Sequence, residues 1–172
     1  DMRILLVNPN TSVDMTERIV AQARLHAAPS TELVAVTAEF GCEVIASRAS
    51  YAIAAHAALD AFARQRSDVD AVILACFGDP GLLALREVAT VPVIGLAQSS
   101  FTAAAARGRF AIVTGGKTWE AMLYRFARSQ QLDARLTGIH TIELTGGQIA
   151  EGPETAVDAL GVAANDGGAG GA

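Results

Sequence analysis

The chain has 172 residues, 51% of them apolar and 18% charged, with a net charge of −5. Such a length buries a sizeable core in one large domain or two small ones, and the composition is globular. The acidic balance and scattered lysines and arginines argue against a nucleic-acid partner, and no run approaches the roughly 20 apolar residues of a membrane span.

Asp1-Met2-Arg3 leads at once into a strand pattern, without the charged and apolar regions of a signal peptide. Two cysteines far apart in sequence do not make a disulfide framework. A reduced, cytoplasmic protein is therefore expected.

Arg3–Val7 is a continuous apolar run, the mark of a central parallel strand buried on both faces. Asn8-Pro9-Asn10-Thr11-Ser12 is a turn with several possible N-caps, followed by a helix over Val13–His26. Leu33–Thr37 reads as a second strand, Phe40–Ser47 as a loop and Ser47–Arg66 as a long alanine-rich helix. Asp70–Cys76 is the third and most apolar strand. Phe77–Gly81 turns the chain, with Pro80 suited to the first turn of a helix running to Val88. Val91–Leu96 is the fourth strand, Ser99–Ala106 a helix, and Arg109–Val113 the fifth strand. Thr114-Gly115-Gly116 turns into a helix ending near Gln130, after which His140–Leu144 reads as a strand and Pro153–Ala164 as a helix.

This alternation predicts an α/β fold with parallel sheets flanked by helices. In such folds ligands bind outside the carboxyl ends of the strands. The echo between Arg3–Asn8 and Arg109–Thr114 fits two related lobes, with boundaries at 1–97 and 98–172.

Three strand-end turns carry chemistry. Cys76 follows an apolar strand and precedes a Gly-Asp-Pro-Gly turn. A thiol at a helix start would meet unpaired N–H groups, lowering its pKa below about 8.5. The plain alternative is a small core hydrophobe. Asp79 either opposes that lowering or caps a helix. Asn8, Asn10 and Thr11 offer amide and hydroxyl donors to a substrate carbonyl or carboxylate, whereas Thr11 or Ser12 also suits a cap. Thr114 and Gly115 form a weak anion-holding signal.

Phe40, Tyr51, Phe77 and Trp119 are candidate apolar walls, or core. Cys42 reads as a spectator in its loop. His56 and Asp60 have the i, i+4 spacing at which side chains meet. No GxGxxG, P-loop or Gly-x-Ser-x-Gly motif is present, and no metal-ligand types cluster at a recognised spacing.

The sequence resembles the aspartate/glutamate/hydantoin racemase superfamily, hydantoin racemase branch. The resemblance is carried by Leu6-Val7-Asn8-Pro9-Asn10-Thr11-Ser12, Ala75-Cys76-Phe77-Gly78-Asp79-Pro80-Gly81 and Ile112-Val113-Thr114-Gly115-Gly116 with Trp119, and it extends to about Leu160. It implies two α/β lobes with the active site in the cleft between them, no cofactor and no metal. It also implies a small-molecule substrate and a homo-oligomer.

In such enzymes two cysteines face opposite sides of a substrate carbon. Cys76 matches one of them. Asn8, Asn10, Thr11, Phe40, Phe77, Gly78, Thr114 and Gly115 become the expected substrate-binding set. The implied substrate is a 5-substituted hydantoin or a related carbon acid such as allantoin. Arylmalonate decarboxylases and maleate isomerases of the superfamily offer an alternative chemistry, and a non-catalytic binding protein a further one.

The sequence departs from the family at its end. No cysteine follows Cys76, and Asp166–Ala172 resembles a contracted remnant of a family stretch that reaches a Gly-Cys turn. The expectation is that intervening residues are missing there. The second acid/base would then lie in that gap, or Gly168 or Gly170 would replace it.

Overall fold

The computed structural model describes residues 1–65, 68–144 and 146–169. The chain forms two units, Asp1–Ser99 and Ser100–Ala172.

In the first unit, β1 (Arg3–Asn8) pairs in parallel with both β2 (Glu32–Thr37) and β3 (Ala71–Leu74). β3 in turn pairs with β4 (Val93–Gly95), so the sheet order is β2-β1-β3-β4. Leu5, Leu6 and Val7 are buried, as an apolar run with no alternation requires of a central strand. Leu5 and Val7 pack with Ala58 and Ala61 of α2 (Arg48–Arg64) and Leu82 and Leu85 of α3 (Leu82–Val88). On the opposite face, Asn8 reaches Thr16 of α1 (Val13–His26). Helices thus cover both faces of the sheet.

α2 buries Ala54, Ala57, Ala58 and Ala61, an i, i+3, i+4, i+7 stripe. Such small side chains let the neighbouring chain come close. Gly81, with φ 84°, lies where a Cβ would meet the Ala55 carbonyl oxygen at 2.9 Å. Ser47 and Ser50 form a reciprocal cap at the start of α2.

α4 (Leu96–Arg107) carries the chain from the first unit into the second. There β5 (Phe110–Gly115) pairs in parallel with β6 (Leu136–Ile142). α5 (Trp119–Ser129), a short 3₁₀ turn (Asp133–Arg135), α6 (Gly146–Glu151) and α7 (Pro153–Ala169) complete this unit. Phe101 stacks against Phe110 and Phe126, with ring centroids 5.7 and 5.4 Å apart. Leu123, Ala127, Ile139 and Ala156 are buried in the same unit.

Several boundaries differ from the sequence expectation. β4 stops at Gly95 because the helix begins at Leu96, not Ser99. β6 starts at Leu136, ahead of the expected His140, because its pairing with β5 begins there. α3 starts at Leu82, leaving Pro80 in the turn, since Asp79 and Gly81 both have positive φ. α7 runs through Gly168 to Ala169, past the end near Ala164 that the sequence suggested. Arg66 and Gly170 lie outside the described residues.

Candidate active site

At the carboxyl edge of the first sheet, β1 leads to α1 on one face while β2 and β3 flank β1 on opposite sides. The order therefore reverses between β1 and β3, a switch point where crossover loops part and leave a crevice. The Ala75 N–H donates to the Val7 carbonyl at 2.9 Å, which sets Cys76 directly beside the turn that begins at Asn8. The Ala38 N–H donates to the Asn8 carbonyl at 3.0 Å, and the Thr11 N–H to the Cys42 carbonyl at 3.2 Å. Three segments are thereby brought to one edge: Asn8–Ser12, Phe40–Ser47 and Cys76–Gly81.

The Asn8–Ser12 turn is held by its own side chains. Asn8, 1% exposed, donates through Nδ2 to Asn10 Oδ1 (2.8 Å), Thr16 Oγ1 (2.9 Å) and the Ser12 carbonyl (3.1 Å). Its Oδ1 accepts the Asn10 N–H at 3.1 Å. Asn8 is thus occupied within the turn. Asn10 Oδ1 also accepts the Ser12 N–H at 2.9 Å, so the amide oxygen of Asn10 is engaged within the turn. Ser12 caps α1 by accepting the Met15 N–H at 3.2 Å, which leaves the half-buried Thr11 hydroxyl with no capping duty.

Cys76 requires a correction. β3 ends at Leu74, and the next helix begins only at Leu82 and has seven residues. The thiol does not sit at a helix start, and the expected lowering of its pKa does not occur. Burial pushes it up to about 12, and the neighbouring Asp79 carboxylate adds to the rise. The Sγ lies 3.8 Å from the Phe77 carbonyl oxygen, the placement of a weak thiol donor. Cys76 and Phe77 are half-buried and Gly78 is buried. The Tyr51 hydroxyl donates to the Gly78 carbonyl at 2.6 Å, tying the turn to α2.

Asp79 caps a helix, though not the one it precedes. Its Oδ1 accepts the Ala97 N–H at 2.8 Å and its Oδ2 the Gln98 N–H at 2.7 Å, both in the first turn of α4. Asp79 is 2% exposed. Burial raises its carboxyl above the usual value, against the N–H groups of α4 and the positive charge of Arg86, which pull it down. The sequence offered Asp79 as a helix cap, but neither the helix it caps nor the role of Gly95 beside it was read from the chain. The partners are distant in the chain, and no local pattern marks them.

Phe40 is 38% exposed and meets the ring of His56 edge-on, with centroids 5.0 Å apart. His56 and Asp60 do not pair as their spacing suggested. Asp60 binds Arg64 at 2.7 Å, and Arg64 also pairs with Glu39. In the second unit, half-buried Thr114 and buried Gly115 end β5, opposite Thr141 and Ile142 of β6. Among the described residues, no three His, Cys, Asp or Glu side chains form a group suited to a metal ion. No described helix is long and apolar enough to cross a membrane.

A parallel α/β fold with a cysteine turn at the switch point of its sheet defines the class of protein. Comparison with known proteins places it further. The model of the Asp/Glu/Hydantoin racemase family matches residues 4–169, and the chain belongs to that family. It is 32% identical over 161 residues to a hydantoin racemase of Pseudomonas sp. (strain NS671), covering 92% of this chain and 65% of the relative. To a hydantoin racemase of Paenarthrobacter aurescens it is 32% identical, covering 96% and 71%. Its fold is similar to that of allantoin racemase from Klebsiella pneumoniae, with a TM-score of 0.87 and 36% identity, covering 93% of this chain and 66% of the other. Allantoin racemase from Pseudomonas fluorescens gives a TM-score of 0.85 at 30% identity, covering 92% and 68%. The chain thus spans about two thirds of the length of these relatives.

Proposed function

We propose that this protein is a cofactor-independent racemase in which Cys76 exchanges a proton with the chiral carbon of a 5-substituted hydantoin or of allantoin. The observation that carries this reading is the position of Cys76 at the sheet's switch point, beside the Asn8–Ser12 turn. The similarity to hydantoin and allantoin racemases supports the substrate class.

A thiol pushed up to about 12 is protonated at neutral pH. Cys76 therefore enters the reaction as the acid, giving its proton to one face of the planar carbanion. In the reverse direction its thiolate takes a proton from that face. A high thiol pKa also brings the base closer to the weak carbon acid it must deprotonate.

The adjacent ring carbonyl carries the developing enolate charge and needs fixed donors. Asn10 Nδ2, the Thr11 hydroxyl and the backbone N–H groups of Phe77 and Gly78 are the candidates on the same edge. Phe40 supplies apolar wall. One thiol serves one face, so a second group must take the proton from the opposite face as the carbanion forms.

The test follows deuterium incorporation at the chiral carbon in D2O, with each enantiomer of several hydantoins and of allantoin, and with aspartate and glutamate as controls. Cys76→Ala is expected to lose exchange at the face it serves. Unchanged incorporation from both enantiomers overturns the Cys76 assignment. An absence of exchange on every hydantoin and on allantoin with the unaltered protein overturns the substrate class.

A further inference from the structure

We propose that Asp79 is the positioning residue of the proton-transfer site: it holds the turn carrying Cys76 against the start of α4 and so fixes where the thiol sits. The inference rests on the reading of Cys76 given above.

On one side, the Asp79 N–H donates to the Cys76 carbonyl at 3.0 Å, closing the turn around the thiol residue. On the other, its two carboxylate oxygens take the Ala97 and Gln98 N–H groups at 2.8 and 2.7 Å. These donors belong to the unpaired first turn of α4, where an anion is favoured. A single side chain therefore joins the two segments.

The backbone is shaped for this purpose. Asp79 has φ 52°, a left-handed conformation that disfavours side chains and persists only where the surroundings impose it. Gly95 leaves the room for the carboxylate, since a Cβ there would fall on Asp79 Oδ2 and lie 2.6 Å from its Cγ. A cap needed only for α4 would be met by a serine or asparagine at its own N-cap. Instead the chain reaches back from the cysteine turn with a buried carboxylate.

The charge falls where it bears on the thiol. Asp79 faces Cys76, and its negative charge favours the protonated thiol. From α3, Arg86 faces Asp79, while its guanidinium donates to Gln98 Oε1 at 2.6 Å and the Val93 carbonyl at 2.9 Å. From α2, the Tyr51 hydroxyl holds the Gly78 carbonyl. The position and the protonation of Cys76 are both tied to this one residue.

The experiment uses two readouts that need no substrate, so failure of the racemase reading leaves it decisive. In the unaltered protein, amide hydrogen exchange at Ala97 and Gln98 is measured at neutral pH. Strong protection is expected, and exchange as fast as for unbonded amides overturns the clamp. In a Cys42→Ser background, Cys76 is then alkylated with iodoacetamide across pH 6–10, with and without Asp79→Asn, alongside thermal melts.

Removing the charge and one acceptor is expected to raise the rate at pH 8 about tenfold, the thiolate gain of a midpoint one pH unit lower. A pH profile that superimposes on the parent's, with only the melting temperature reduced, makes Asp79 a mere cap and overturns the proposal. If Asp79→Asn does not fold, Gly95→Ala, whose Cβ displaces the Asp79 carboxylate, takes its place in the alkylation series: a changed rate supports the proposal and a profile superimposed on the parent's overturns it.

Discussion

The Asp79 carboxylate occupies the space that a side chain at position 95 would need, so Gly95 and Asp79 fit only as a pair. Placing a methyl group at Gly95 drives it into the carboxylate and toward the Leu82 side chain at 2.8 Å. Gly95→Ala would ordinarily stabilise by about 0.4–1 kcal/mol through the unfolded chain. Here the overpacking cost of about 1–3 kcal/mol outweighs that gain. Urea denaturation is expected to give a net loss of stability, and a variant as stable as the parent would show that the carboxylate has room to move.

Asn8 carries a different kind of cost. Its amide joins β1 to Asn10, Ser12 and Thr16 from a site 1% exposed. Asn8→Ala removes these bonds and strands polar partners near the sheet. A loss of about 2–3 kcal/mol is expected, several net hydrogen bonds' worth at about 1 kcal/mol each. Chemical denaturation measures it, and a loss under 1 kcal/mol would mean that the turn is held by its backbone alone.

Alkaline stability depends on Cys76. The thiol's folded pKa lies near 12, above the ordinary 9.0, so between these values the folded protein binds the proton that the unfolded chain releases. Stability is then fully present below about pH 9 and falls as pH rises toward 12. One group contributes at most about 1.4 kcal/mol per pH unit. Unfolding free energies of the parent between pH 9 and 10.5 are expected to decline more steeply than those of Cys76→Ser. Parallel slopes would mean that the thiol titrates normally.

Tyr51 tests how firmly the cysteine turn is anchored to α2. Its hydroxyl donates to the Gly78 carbonyl at 2.6 Å. Tyr51→Phe is expected to cost about 0.5–1.5 kcal/mol, the net worth of one such bond. Amide exchange in residues 77–81 should accelerate in the same variant. Unchanged exchange there would separate Tyr51 from the turn.

Much of this molecule was legible along the chain. The run Arg3–Val7 announced a strand buried on both faces, and it is β1 at the centre of the first sheet. Thr11 or Ser12 was read as a cap, and Ser12 is the one that caps α1. The motif around Cys76 pointed to the family that the chain belongs to. These features are local: periodicity, turn chemistry and short motifs act within a few residues, so a linear reading captures them.

What the fold decided lies in pairs distant along the chain. The start of α4 at Leu96 cuts short the apolar run Val91–Leu96, with the Asp79 carboxylate waiting at its first turn. The pKa of Cys76 runs opposite to the expectation from its turn, because burial and the Asp79 charge act where no helix start is present to lower it. Asn8 looked like a free donor and is held by Thr16, a residue of the following helix. Sequence alone determined the strands, the turns at their ends and the cysteine among them. Only the tertiary structure decided the electrostatics of that cysteine, because burial and the approach of charges are set by packing across the chain and not by neighbours along it.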